Sequence, residues 1–210
     1  MQSLFNEDYF ERGIELEISG YSNYRWIPEL TIPMAYEMIQ FLEINRNELI
    51  LDFGCAKGYL VKAFRLLHYE AFGYDISEYA LSTAPTEIQG YLSNDLFSNS
   101  YGWYSRYDWI IAKDVFEHVP YDQIDQLLSI LRTTCNYMFV IVPLGANNEY
   151  NIPVYENDKT HIIRESLDWW EHKFEQVGFT VERAIYEVQH IKENYARYLE
   201  GNGFFILRGN

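Results

Sequence analysis

The sequence is poor in several things, and each shortage excludes a class of protein. Its 210 residues hold two cysteines, Cys55 and Cys135. That is too few for a disulfide framework, so a reducing, cytoplasmic setting is expected. No Pro/Gly-rich linker, low-complexity tract or internal repeat divides the chain. No stretch approaches the ~18–20 unbroken apolar residues that span a bilayer. The opening MQSLFNEDYFERG is acidic and lacks the basic-then-apolar pattern of a secretory leader, so neither export nor a membrane is expected. Basic residues are scarce too: 16 Lys and Arg stand against 31 Asp and Glu, for a formal charge of −15. They are scattered singly from Arg12 to Arg208. A duplex-binding protein needs a clustered basic face to displace counterions, so nucleic acid is not expected as a partner.

What is abundant is material for one core. Apolar residues make up 48% and charged ones 22%, the balance of a single globular unit of this length. Residues 1 to about 28 are Tyr-rich and irregular, and residues 29–42 then place Leu30, Met34, Met38 and Leu42 at helical spacing. From Glu48 onward strands and helices alternate. ELILDF, EAFGYD, IQGYL, YDWIIA and NYMFVIVP read as strands, with FTVERAIYEV and FFILRG as a closing pair. GYLVKAFRLLH, SEYALSTA, YDQIDQLLSILRTT and RESLDWWEHKFEQVG read as helices, the last stopped by Gly178. Unbroken apolar strands alternating with helices imply a parallel sheet covered on both faces. The expected fold is α/β and doubly wound, with a mostly parallel seven-stranded sheet, an antiparallel last strand and an N-terminal helical cap. Residues 1–47 are expected to form the cap or lid, and residues 48–210 the main domain.

Ligands of such sheets bind at the carboxyl ends of the strands, where this chain keeps its unusual residues. The first strand runs through LDFGCAKGYL into a helix, and Gly54 and Gly58 allow a sharp turn and close ligand approach. A P-loop would need Lys-Ser or Lys-Thr after its last glycine, and Gly58 is followed by Tyr-Leu-Val. A dinucleotide fingerprint would need glycine where Ala56 and Tyr59 stand. Asp52 would repel a pyrophosphate but suits a ligand bearing an ammonium or sulfonium group. Asp75, in GYDIS, can accept both hydroxyls of a ribose. In NDLF, Asn94 or Asp95 can meet an adenine amino group while Leu96 and Phe97 cover the ring. Each acid alone reads first as a turn former or helix cap. Three at successive strand ends are hard to assign to capping.

The series ILDFGCAKGYL, GYDIS, NDLF and YDWIIAKDVFEHVP resembles the motifs of class I S-adenosylmethionine-dependent methyltransferases. It is most similar to the small-molecule "type 11/12/23-like" group, whose signatures include LDxGCGxG and DVLEHV. The likeness is strong over about residues 48–143 and looser over 144–210. It implies a Rossmann-like methyltransferase fold with S-adenosylmethionine as cofactor and S-adenosylhomocysteine as product. By that likeness Asp52, Gly54, Cys55 and Gly58 line the methionine portion. Asp75 holds the ribose, with Ile76 against the adenine, while Asp95 and Leu96 frame the base. The backbone at Ala112 and Lys113 passes beneath the sulfonium. Ala56 departs from the family's usual glycine by one methyl group, which bears on where the methionine end lies.

On the acceptor side, Lys113-Asp114-Val115-Phe116-Glu117-His118-Val119-Pro120 follows the fourth strand. Pro120 breaks any long helix there, so the polar residues share a single turn at the crevice. A long loop later carries Asp158-Lys159-Thr160-His161, and in the related enzymes a loop histidine commonly faces the acceptor. The expected acceptor is a hydroxyl on a small molecule or sugar, with nitrogen and carbon left open. A hydroxyl needs a base, and a neutral imidazole suits it. His161 is the first choice, followed by His118 and Asp114. Asp114, Glu117, His118 and His161 also resemble the metal-binding set of some methyltransferases of the RNA 3′-end and ubiquinone-pathway types, and would suit Mg²⁺, Mn²⁺ or Zn²⁺. The same pattern is widespread in metal-independent relatives, so no metal residue is assigned. Tyr21, Tyr24, Arg25 and Trp26 are the expected lid, with Arg25 free to meet the cofactor carboxylate, an acidic substrate or a structural partner. An inactive cofactor-binding or scaffold subunit is the alternative function. Broken glycine spacing and Asp52 count against a nicotinamide-dependent oxidoreductase.

Overall fold

The computed structural model describes residues 2–96, 106–192 and 195–209. Phe97, expected over an adenine ring, lies outside the described residues. In chain order the elements are α1 (Glu7–Glu11), α2 (Pro28–Phe41), β1 (Leu49–Phe53), α3 (Tyr59–Leu66), β2 (Glu70–Tyr74), α4 (Glu78–Ser82) and β3 (Leu92–Ser93). Then come β4 (Tyr107–Lys113), α5 (Ile124–Thr134), β5 (Cys135–Pro143), β6 (Gly145–Ala146), β7 (Glu149–Tyr150), α6 (Leu167–Gln176), β8 (Thr180–Ile185) and β9 (Asn202–Arg208). No described helix is long and apolar enough to cross a membrane.

The main sheet is ordered β3-β2-β1-β4-β5-β9-β8. Pairings from β3 through β5 are parallel, and β9 runs antiparallel to both β5 and β8. This is the doubly wound, mostly parallel seven-stranded arrangement expected from the pattern. Its physical cause is legible in β5, where every residue from Met138 to Pro143 is buried. Such a strand has no polar face to give to water, so helices must cover both sides. One face packs Leu51, Ile110, Met138 and Val140 against α5 and α6, whose Leu128, Trp170 and Phe174 are fully enclosed. The other packs Ile50, Ile111 and Phe139 against α3 and α2. Each such side chain contributes roughly 1.5–3 kcal/mol by leaving water.

Two expectations are revised. The strand read over residues 88–92 is a 3₁₀ turn, Gln89–Tyr91, followed by the two-residue β3. The Tyr91 ring lies 3.4 Å beneath the Arg65 guanidinium, which holds it in the turn. Meanwhile α2, read as part of the cap, is built into the helix layer. Its Ala35, Met38 and Ile39 are buried with Val61 and Phe64 of α3 in the main core. The true overlay is the segment before α2. Its Tyr9 and Phe10, with Ala80 of α4, form a small aromatic cluster of their own.

Candidate active site

At the carboxyl ends of β1, β2 and β4 lies a cavity of ≈ 410 Å³, within the size range of small-molecule sites. Its walls come from four places: Gly54 and Ala56 after β1, Asp75 and Ile76 after β2, Asp114, Val115 and His118 after β4, and Phe5, Tyr9, Phe10 and Tyr21 from the N-terminal overlay. The face of α5 carrying Gln123, Gln126 and Leu127 completes it.

The turn after β1 needs its small residues. Gly54 has φ +80°, and a Cβ there would meet Val115 Cγ2 at 2.3 Å. Gly58 has φ +71° and opens α3, where a Cβ would press on Ile88 and Leu92 at 2.8 Å. Ala56 also takes a left-handed backbone, at φ +49°, a conformation that costs a side chain about 1–2 kcal/mol. Asp75 offsets this by accepting the Ala56 N–H at 2.7 Å and the Ser77 N–H at 2.7 Å. An ionised carboxylate has about four acceptor sites, so Asp75 keeps capacity toward the cavity. Cys55 turns its side chain away, against Gly73 of β2, where a Cβ would lie 2.7 Å from its sulfur. Asp52 is buried below the turn, 5% exposed. Burial first, then the neighbouring Asp75, pushes its carboxyl up to about 7, with Lys113 opposing.

The acceptor side is more elaborate than the sequence suggested. Asp114, at φ +57°, is paired with Lys113 Nζ at 2.5 Å and with Lys192 Nζ. Burial favours its neutral form, but the two ammonium groups hold the carboxyl well below the usual range. Lys192 also donates to Tyr155 Oη and Asn202 Oδ1, each at 2.9 Å. It lies 78 residues from Asp114 in a segment without a motif, so local reading had no signal for it.

The 3₁₀ turn Phe116–His118 presents His118 to the cavity, with His161 set edge-on against it, ring centroids 4.7 Å apart. Burial, and then the second imidazole, lowers His118 to about 4, and burial lowers His161 as well. His118 Nδ1 meets Thr160 Oγ1 at 2.8 Å, and His161 Nδ1 meets the Tyr155 carbonyl at 2.9 Å. Glu117 turns inward, 1% exposed. Its carbonyl accepts the Ile162 and Ile163 N–H groups, tying this turn to the loop that bears His161.

Side-chain contacts fasten the overlay to the body of the chain. Tyr9 donates its hydroxyl to Asp158 Oδ2 at 2.9 Å, Ser77 donates to the Phe5 carbonyl at 2.5 Å, and the buried Lys57 meets Glu11 at 2.5 Å. Of the expected lid, Tyr21 lines the cavity and Tyr24 packs behind it against Phe10 and Tyr59. Trp26 instead lies under Lys62, 5.0 Å from its ring, and Arg25 is exposed. Asp95 is exposed at the end of β3 and Leu96 is half-buried against the core, so neither belongs to the described wall. The acidic residues and small-residue turns fit a nucleoside with a cationic tail.

A family model described as a methyltransferase domain matches residues 33–184. No curated protein matches the chain. Among solved structures, a chain of the complex between the Haloferax volcanii Trm112 methyltransferase activator and its methyltransferase superposes with a TM-score of 0.62 at 14% identity, covering 86% of this chain and 90% of that one. A SAM-dependent methyltransferase from Archaeoglobus fulgidus gives 0.61 at 15% identity, with 83% and 92% covered. The mitomycin 7-O-methyltransferase MmcR gives 0.59 at 14%, covering 84% of this chain and 54% of that chain. At these identities the likeness to solved structures is one of fold.

Proposed function

We propose, from the premise that the chain belongs to the methyltransferase-domain family and is a class I S-adenosylmethionine-dependent methyltransferase, that it methylates a hydroxyl of a small molecule or sugar. The observation that carries the acceptor side is the pair of neutral imidazoles at one end of the cavity, His118 in its wall and His161 directly behind. When bound, S-adenosylmethionine supplies an already activated methyl group. Asp75 would hold its ribose hydroxyls and Ile76 its base. The Gly54–Gly58 turn and Asp52 would take the methionine end.

The chain's own work is positioning and exclusion of water. Phe5, Tyr9, Phe10 and Tyr21 cover the cavity, so the acceptor meets the donor away from solvent. Sequence reading assigned the base to His161. We read that duty as shared: His118, in the cavity wall, would take the hydroxyl proton on its imidazole as the acceptor oxygen bonds to the methyl group, with His161 and Glu117 beside it. Asp114, engaged by two lysines, is better suited to fixing the turn than to taking a proton.

The test is a panel of sugars and phenolic metabolites with labelled methyl donor, and calorimetry with S-adenosylmethionine. Replacing His118 or His161 by alanine should lower turnover by ~10²–10⁴ while leaving cofactor affinity nearly unchanged. Full activity in both variants would remove the cluster from the mechanism. Cofactor binding without product across the panel would favour the inactive-subunit reading.

A further inference from the structure

Thr160 stands between two side chains, and only one direction of hydrogen bonding satisfies both. Its Oγ1 lies 2.6 Å from Asp158 Oδ1 and 2.8 Å from His118 Nδ1. Asp158, buried at the root of the loop, is approached by the Thr160 hydroxyl, by the Thr160 N–H at 2.9 Å and by the Tyr9 hydroxyl at 2.9 Å. A carboxylate met by donors on both oxygens has only acceptor sites to offer, and a threonine hydroxyl has one hydrogen to give. Spending that hydrogen on His118 would leave two oxygens facing each other at 2.6 Å with nothing between them. The hydrogen therefore points at Asp158, and toward the ring Thr160 can only accept.

A neutral imidazole carries hydrogen on one nitrogen and a lone pair on the other, and the partner of one nitrogen decides the state of the second. With Thr160 accepting, His118 holds its hydrogen on Nδ1. Nε2 is left with the lone pair, on a ring that forms part of the cavity wall. The opposite tautomer would turn Nε2 into an N–H, which cannot take a proton.

We infer that Thr160 and Asp158 are positioning residues that fix His118 in the one tautomer able to act as a base from Nε2. Thr160 does so by accepting from Nδ1, and Asp158 by holding the Thr160 hydroxyl in that direction; a base oriented by a further group is the usual logic of such sites. The inference rests on the reading of His118 as the group that takes the acceptor's proton. In that step the acceptor oxygen bonds to the methyl carbon, the methyl–sulfur bond breaks with its electron pair left on sulfur, and the proton goes to Nε2. The ring then bears hydrogen on both nitrogens. Its Nδ1–H still donates into the Thr160–Asp158 chain, whose negative end stabilises the new charge. Sequence offered no local signal for this arrangement, since 42 residues separate Thr160 from His118.

Nitrogen-15 NMR of the labelled full chain at neutral pH reads the tautomer of each histidine ring, with a His118→Gln sample to assign its signals. Wild-type His118 should carry its hydrogen on Nδ1. Thr160→Val keeps the side-chain shape but removes the accepting oxygen, and Asp158→Ala frees the hydroxyl to donate to Nδ1. Both should move hydrogen to Nε2, with circular dichroism confirming the folds, whereas Thr160→Ser should retain the wild-type tautomer. Tyr9→Phe removes another bond to the same carboxylate without releasing Thr160, and should retain it too. On the panel of sugars and phenolic metabolites, turnover should fall by ~10²–10⁴ in Thr160→Val and Asp158→Ala and recover in Thr160→Ser, with S-adenosylmethionine affinity nearly unchanged. Hydrogen on Nε2 in the wild type, or on Nδ1 in both disruptive variants, overturns the inference. The same change in Tyr9→Phe would mark a general loosening and overturn it as well. The expected tautomers together with full turnover in His118→Ala would instead sink the base assignment of the proposed function, and leave the cause of the tautomer standing.

Discussion

At the scale of single residues, the site is held by carboxylates whose environments differ sharply. Asp75 joins two turns through the Ala56 and Ser77 N–H groups, so it supports the fold at the edge of the cavity and, in the proposed function, the ligand. Asp75→Ala should therefore weaken cofactor binding by ~10–100-fold and destabilise the chain by about 1–3 kcal/mol, read by calorimetry and urea unfolding. Asp52 behaves differently. Its folded carboxyl sits near 7 rather than 3.8, so between those values the folded state holds a proton that the unfolded chain has released. Stability should fall as pH rises through that window, by up to about 4 kcal/mol, whereas affinity for a cationic ligand should rise as Asp52 ionises. Calorimetry from pH 5.5 to 8.5 checks the second trend, and Asp52→Asn should flatten it. The charged groups bearing on Asp52 are Asp75 and Lys113.

At the scale of elements, the N-terminal overlay and the loop after β5 act as one cover, because Tyr9 and Asp158 meet across 149 residues of sequence. Tyr9→Phe removes a hydrogen bond to a charged acceptor, an interaction of about 1.5–3 kcal/mol. Amide exchange over residues 7–24 should quicken by roughly tenfold or more, and added cofactor should slow it again. Elements with strong periodicity were legible in sequence: β1, β4, β5, α5 and α6 follow their apolar spacing. β3 was not, because an edge position with one neighbour imposes little pattern and Gly90 and Tyr91 favour a turn. Cavity-lining residues adjacent to strand ends, such as Asp75, Asp114 and His118, could be placed at the crevice from sequence because the topology puts strand ends there. Lys192, Tyr9, Thr160 and the inward turn of Glu117 were not, since each depends on a contact between distant segments. The aromatic residues of the overlay that line the cavity were not singled out for the same reason. Phe5, Tyr9 and Phe10 look like ordinary aromatic residues until the chain folds over the crevice.

For the whole molecule, a formal charge of −15 repels itself within one compact body. Raising NaCl from about 0.05 to 0.5 M should increase the melting temperature, as screening shortens the Debye length from about 14 to about 4 Å; differential scanning calorimetry reads this directly. The sheet's two borders carry another consequence. One is the two-residue β3; the other, β8, has an irregularity between Val181 and Arg183 and bears Glu182 paired with Arg208. A border that is very short, or kinked and charged, is a poor template for a stray strand. Even with so apolar an interior, concentrated solutions of the folded chain should therefore resist edge-to-edge aggregation.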